Sequence, residues 1–170
     1  MRYLLDTCIM LYMLNKTGEM SNDVESIVSD YGNRLYICAA SVRELVAAWH
    51  KYQHMQRTWK TPQEMLDEVR DIYGVETLYP QREHYQTFIN LRWNLAAKHT
   101  DTTDHLIIAH AITEHLPLIS SDGKFDFYCN IETVKRLGHE VKDFLVRAWR
   151  EAIYGNNDLE PLLQPAIATR

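Results

Sequence analysis

The chain has 170 residues, 46% hydrophobic and 24% charged, the balance of an ordinary folded domain with room for one core. Its formal net charge of -5 argues against non-specific nucleic-acid binding through bulk charge, and no apolar run reaches membrane-spanning length. Three widely spaced cysteines (Cys8, Cys38 and Cys129), without a CxxC, favour reduced thiols in a cytoplasmic protein, and no signal-peptide pattern precedes Asp6.

Arg2-Tyr3-Leu4-Leu5-Asp6 reads as a short buried strand closed by an acid, with Thr7 able to cap the apolar helix that follows. Ser21 to Tyr31 fits a helix with Val24, Ile27 and Val28 on one face. Arg34 to Ala40 reads as a second buried strand, and Ser41-Val42-Arg43-Glu44 opens the next helix. Taken alone, Ser-x-x-Glu is a capping box with Glu44 reaching back to Ser41. Its place, just past the end of a buried strand like Asp6, favours a role in a site.

His50 to Lys60 reads as a helix end and a loop. Thr61-Pro62-Gln63-Glu64 is a strong helix start, with Thr as cap and Pro in the first position. Val75 to Tyr79 is a third strand, and Gln81 to Lys98 is helical in pattern. Asp101 to His115 is a helix with acids at its N-terminus, followed by a fourth strand from Pro117 to Ser121 that ends at Asp122. A fifth strand is expected over Asn130 to Val134 and a last helix over His139 to Tyr154. The alternation predicts one α/β domain, a three-layer sandwich around a mainly parallel sheet of four or five strands.

Four acids, Asp6, Glu44, Asp104 and Asp122, therefore stand at strand ends or helix starts, where ligands collect in open α/β sheets. Carboxylates sharing a site repel unless a proton or cation lies between them. All-oxygen sites of this kind select Mg²⁺ or Mn²⁺ over zinc, and such ions support in-line displacement at phosphorus by water. Asp101 reads better as a helix-start carboxylate or as support for its neighbours. Asp122-Gly123 alone would be a turn. His50 and His54 lie at i,i+4 without a third ligand and read as surface residues. Trp49, Trp93 and Trp149 are expected mostly in the core or an interface.

Three segments together resemble the PIN-domain family, most of all the VapC-like toxins of type II toxin–antitoxin systems: Tyr3-Leu4-Leu5-Asp6-Thr7, Ser41-Val42-Arg43-Glu44-Leu45, and Asp101 to Ala109 followed by Leu118 to Phe125. The resemblance covers residues 1 to about 137. It implies a PIN-like nuclease domain over 1–137, with 138–170 as a C-terminal helix and irregular tail packed on or extending it. It implies a Mg²⁺- or Mn²⁺-dependent endoribonuclease whose metal-binding acids are Asp6, Glu44, Asp104 and Asp122, with Ser120, Thr7 and Asp101 as accessory residues. A homodimer, an RNA substrate and a cognate antitoxin are implied with it.

The family commonly has Asn where Cys8 stands, Pro-Phe where Thr102-Thr103 stand, and Arg where His105 stands. These departures keep all four acids and remove an expected basic RNA contact. Two rival readings are a catalytically silent PIN-like binding module and a haloacid-dehalogenase-like phosphatase. The second lacks its acid/base partner, because Cys8 occupies the position two residues after Asp6.

Overall fold

In a β-strand successive side chains point to opposite faces, so a strand buried on both faces is apolar without interruption. The first two strands are of this kind. In the computed structural model, which describes residues 1–16, 18, 20–91 and 99–127, β1 (Arg2–Leu5), β2 (Arg34–Cys38), β3 (Val75–Leu78) and β4 (Leu118–Ile119) form one parallel sheet in the order β3-β2-β1-β4. Tyr3, Leu5, Leu35, Ile37 and Ile119 point to one face, and Leu4, Tyr36, Cys38 and Leu118 to the other.

The first face is covered by α1 (Thr7–Asn15), α2 (Asn22–Ser29), α3 (Ala39–Lys51), α4 (Gln53–Thr58) and α5 (Pro62–Asp71), through Ile9, Met10, Val24, Leu45, Met55 and Met65. The second face is covered by α7 (Thr102–Thr113), through Ile107, Ile108 and Ala111, with α6 (Arg82–Asn90) packed along α7. The three layers and the parallel sheet match the sequence reading. The expected fifth strand, the last helix and the segment 138–170 lie outside the described residues.

Several boundaries differ, each for a local reason. Asp6, not Thr7, is the N-cap of α1: its side chain accepts from the Thr7 N–H, so strand passes to helix without an intervening turn. The helix α3 begins at Ala39 with Cys38 as its cap, which makes Ser41 an interior residue and removes the capping box. The loop expected over His50 to Lys60 contains α4, seated by buried Met55 and Trp59. The helix α6 ends at Asn90, where Leu91 turns extended (φ −66°, ψ 131°) and is buried against Ile107 and Leu118 as part of the second core. The start of α5 is as expected, with Thr61 accepting from the Glu64 N–H and Pro62 in the first turn.

The order of strands decides where the crevice of the sheet lies. The chain steps from β1 to β2 to β3 in one direction, then returns to place β4 on the other side of β1. The crevice beyond the C-terminal ends of β1 and β4 is thus the point where the strand order reverses. The ladder there is closed by the Leu4 N–H on the Pro117 carbonyl (2.8 Å) and the Asp6 N–H on the Ile119 carbonyl (2.9 Å). Ile37, wholly buried in β2, anchors the first core. Ile37→Ala is expected to lower stability by about 2–5 kcal/mol in urea unfolding; a loss below about 1 kcal/mol would place this strand outside the cooperative core.

Candidate active site

A residue directly after a buried parallel strand enters the helix N-terminus that follows it, and its side chain faces the crevice. Asp6 holds that place. It is 5% exposed and accepts three hydrogen bonds: the Thr7 N–H on Oδ1 (2.6 Å), and the Ser120 hydroxyl (2.6 Å) and Cys8 thiol (3.0 Å) on Oδ2. Ser120 comes from the end of β4, so this bond crosses the switch point. Its oxygen also accepts the Asp122 N–H (3.0 Å), which fixes the hydroxyl proton toward Asp6.

Glu44 projects from the second turn of α3, and the Thr7 hydroxyl donates to its Oε2. Asp104 lies in the first turn of α7, with Oδ2 2.8 Å from His99 Nε2. Asp101 caps α7, its Oδ1 accepting from the Thr103 N–H (2.8 Å) and its carbonyl from His105 Nδ1. Asp122 accepts the Lys124 N–H on Oδ1 (2.9 Å), and its Oδ2 lies 3.8 Å from the Lys124 ammonium, so it starts the turn into the 3₁₀ segment Gly123–Phe127. Arg43, one residue before Glu44, donates to the Thr103 hydroxyl (2.6 Å) and ties α3 to the start of α7.

The charges of several of these acids bear on one another. Burial pushes the Asp6 carboxyl above its ordinary range; the bonds from Ser120 and Cys8 oppose this and the charge of Asp104 adds to it. Burial also raises Glu44, opposed by the Thr7 bond and reinforced by the charges of Asp104, Asp101 and Asp6. Asp104 is raised first by burial, with His99 opposing and Asp101 and Asp122 adding. Each acid therefore feels others that are far away in the chain. The Cys8 thiol is pushed up to about 12, by burial and then by Asp6. It stays protonated near neutrality and acts as a donor, not a nucleophile.

The donor set consists of hard carboxylate oxygens, which suits Mg²⁺ or Mn²⁺ and not a soft metal. Among the described residues, no group of three or more His, Cys, Asp or Glu side chains is arranged to hold a metal ion. Those residues therefore form no closed protein cage. It is compatible with the habit of Mg²⁺, which keeps several waters and takes one or two direct carboxylates.

His50 and His54 are both exposed, and His54 pairs with Asn15 (3.2 Å). Trp49 is partly buried against the first core, while Trp93 and Trp149 lie outside the described side chains. One residue of the site was invisible to sequence reasoning: His99. A lone histidine in Lys98-His99-Thr100-Asp101 has no periodicity or motif, and only its burial and its bond to Asp104 single it out.

Residues 3–130 match the family model of the PIN domain, and the chain belongs to that family. Among solved structures it is similar to VapBC2 from Rickettsia felis, determined bound to a DNA fragment from its promoter. That match has 26% identity over 74% of this chain and 91% of that one, with a TM-score of 0.56. It also resembles VapBC-1 from nontypeable Haemophilus influenzae at 21% identity, over 73% of this chain and 89% of that one, with a TM-score of 0.51; this second likeness concerns the fold alone. The chain is thus structurally close to the PIN domains of VapBC-type toxin–antitoxin pairs. No curated protein matches the chain. Family membership sets aside the phosphatase reading.

The raised carboxyls have a consequence for stability. A group whose folded pKa is raised contributes stability that is present below its unfolded pKa and lost as pH rises through the folded value. Glu44→Gln keeps an acceptor for Thr7 and deletes one of the repelling charges. The variant is expected to melt a few degrees above the wild type at pH 7.5 in chelator. The gap should close as pH falls toward the ordinary glutamate range, where wild-type Glu44 becomes protonated. Equal melting temperatures at pH 7.5 would show that neither burial nor neighbouring charge raises Glu44.

Proposed function

We propose that this protein is a divalent-metal-dependent endoribonuclease that hydrolyses RNA phosphodiester bonds, and that it is the toxin of a toxin–antitoxin pair. The observation that carries this is the gathering of carboxylates at the β1–β4 switch point: Thr7 ties Asp6 to Glu44, burial raises Asp6, Glu44 and Asp104, and the charge of Asp104 adds at both Asp6 and Glu44. Buried carboxylates in that state are relieved by a cation. Asp6, Glu44, Asp104 and Asp122 would hold Mg²⁺ or Mn²⁺, directly or through water. The ion would supply Lewis acidity toward a phosphoryl oxygen and an activated water.

The chain's own residues do the positioning. Ser120 and Cys8 hold one oxygen of Asp6, and the backbone N–H of Thr7 holds the other. The Thr7 hydroxyl restrains Glu44. Asp101 holds the first turn of α7 and so the carriage of Asp104. Serine, threonine and cysteine are neutral donors here, so they orient the carboxylates without neutralising them. The pocket keeps the negative charge that a cation requires.

The VapBC likeness supports a cognate antitoxin as partner, and the homodimer is carried over from the family resemblance. Residues 1–137 would form the nuclease domain and 138–170 an extension of it. Among the described residues no helix is long and apolar enough to cross a membrane, and Cys8 and Cys38 are free thiols; both support a cytoplasmic role for this reading. One observation favours the rival, a PIN fold kept as a protein-binding module: no preformed ligand triad stands among the described residues.

Two experiments separate these readings. Asp6→Asn and Asp104→Asn should each lower RNA cleavage in Mg²⁺ or Mn²⁺ by roughly 100-fold or more, and chelator should abolish wild-type cleavage. Undiminished cleavage in either variant, or in chelator, would rule the metal mechanism out, and no cleavage by the folded wild type would leave the binding module as the reading. Expression of the wild type alone should arrest growth, while Asp104→Asn should not; harmless expression of folded wild type would refute the toxin role.

A further inference from the structure

Asp104 sits on the first turn of a helix, and a carboxylate there has two side-chain torsions to settle before it can ligate anything. One side chain settles them. His99 is wholly buried and places Nε2 2.8 Å from Asp104 Oδ2. An ionised carboxylate can only accept, so Nε2 carries the proton in that state. The imidazole is itself held. It stacks on His105 at 4.6 Å between centroids and 26° between planes, with the Phe125 ring at 6.1 Å. His105 in turn is fixed to the first turn of α7, because Nδ1 donates to the Asp101 carbonyl. Ring, ring and helix start thus form one rigid unit beneath the acid.

We infer that His99 is the positioning residue for Asp104: its N–H grips one carboxylate oxygen and so presents the group, in a single orientation, to the hard cation of the site. The inference rests on the metal-dependent reading of the acids. Partners that hydrogen-bond a ligating carboxylate contribute about 10- to 100-fold to metal affinity. The opposing possibility is that His99 merely fills the core beside His105 and Phe125.

Two substitutions at this position separate donor from filler. His99→Gln keeps an N–H at similar reach and removes the ring. His99→Phe keeps a ring against His105 and removes the donor. Mn²⁺ affinity is read by electron paramagnetic resonance on the metal-free full-length protein without RNA, with folding checked by circular dichroism. His99→Gln should bind Mn²⁺ close to the wild type, and His99→Phe about 10- to 100-fold more weakly. The reverse order, or equal affinity in all three, overturns the inference and leaves the ribonuclease reading standing. No Mn²⁺ binding by the wild type, or full binding by Asp104→Asn, removes both. A measurement on the wild type needs no variant to fold: in ¹⁵N-histidine-labelled protein, the His99 side-chain N–H resonance should shift as Mg²⁺ is added. A resonance unmoved through saturating Mg²⁺ also overturns it.

Discussion

The constraint on which the rest depends is the repulsion among carboxylates brought to the end of β1 and the starts of the facing helices. Asp6, Glu44 and Asp104 come from three different elements, and each is destabilised as an anion by burial and by its neighbours. No Lys or Arg side chain bonds any of the three among the described residues; Lys124 pairs with Asp122, and Arg43 is bound to Thr103. Like charges in a low-dielectric pocket separate unless the scaffold resists. Here it resists through the ladder bonds of β1 to β4 and through the Ser120–Asp6 bond between their ends.

The scaffold can resist because both faces of a short sheet are sealed. Strands of two to five residues would be weak alone, but β1 and β4 bury every side chain from Tyr3 to Leu5 and from Leu118 to Ser120. The second face depends on α7, an unusual helix because it buries two imidazoles. His105 and His110 are accommodated by donating Nδ1 to carbonyls four residues earlier, those of Asp101 and Leu106. Burial keeps both pKa values below the ordinary histidine range, so both rings are neutral near pH 7 and add no charge to the core. His110 then stacks on His84 of α6 at 4.2 Å, which joins the two helices on that face. The acids at the N-terminus of α7 are therefore carried by a helix fixed along its length.

The departures from the common PIN motifs gain a physical sense from these contacts. Cys8 stands where the resemblance implies Asn, and its thiol still donates to Asp6 while accepting from the Ser121 hydroxyl (3.1 Å). A donor to the first acid is thus kept with a weaker group. His105 stands where an Arg is common, and it is turned inward to the Asp101 carbonyl. A guanidinium nonetheless reaches the start of α7, since Arg43 arrives from α3 on the Thr103 hydroxyl.

Much of this was legible in the residues. Apolar runs located β1, β2 and β4, the first closed directly by an acid, and the sheet class followed from the alternation of strands with helices, because burial on both faces leaves that mark in a linear chain. The helix start at Thr61-Pro62 is equally local. Other features are not local and left no such mark. Whether Glu44 would cap its own helix or face the crevice turned on where α3 begins, and α3 begins at Ala39. The order β3-β2-β1-β4, the bond from Ser120 across to Asp6, the approach of Arg43 to Thr103 and the burial of His99 against Asp104 all join residues far apart in the chain or set by depth. Sequence alone determined which acids were available and on which kind of element each would ride. Only the tertiary structure decided which donors restrain them and how strongly they repel, because both depend on distance and desolvation, and neither quantity exists until the chain is folded.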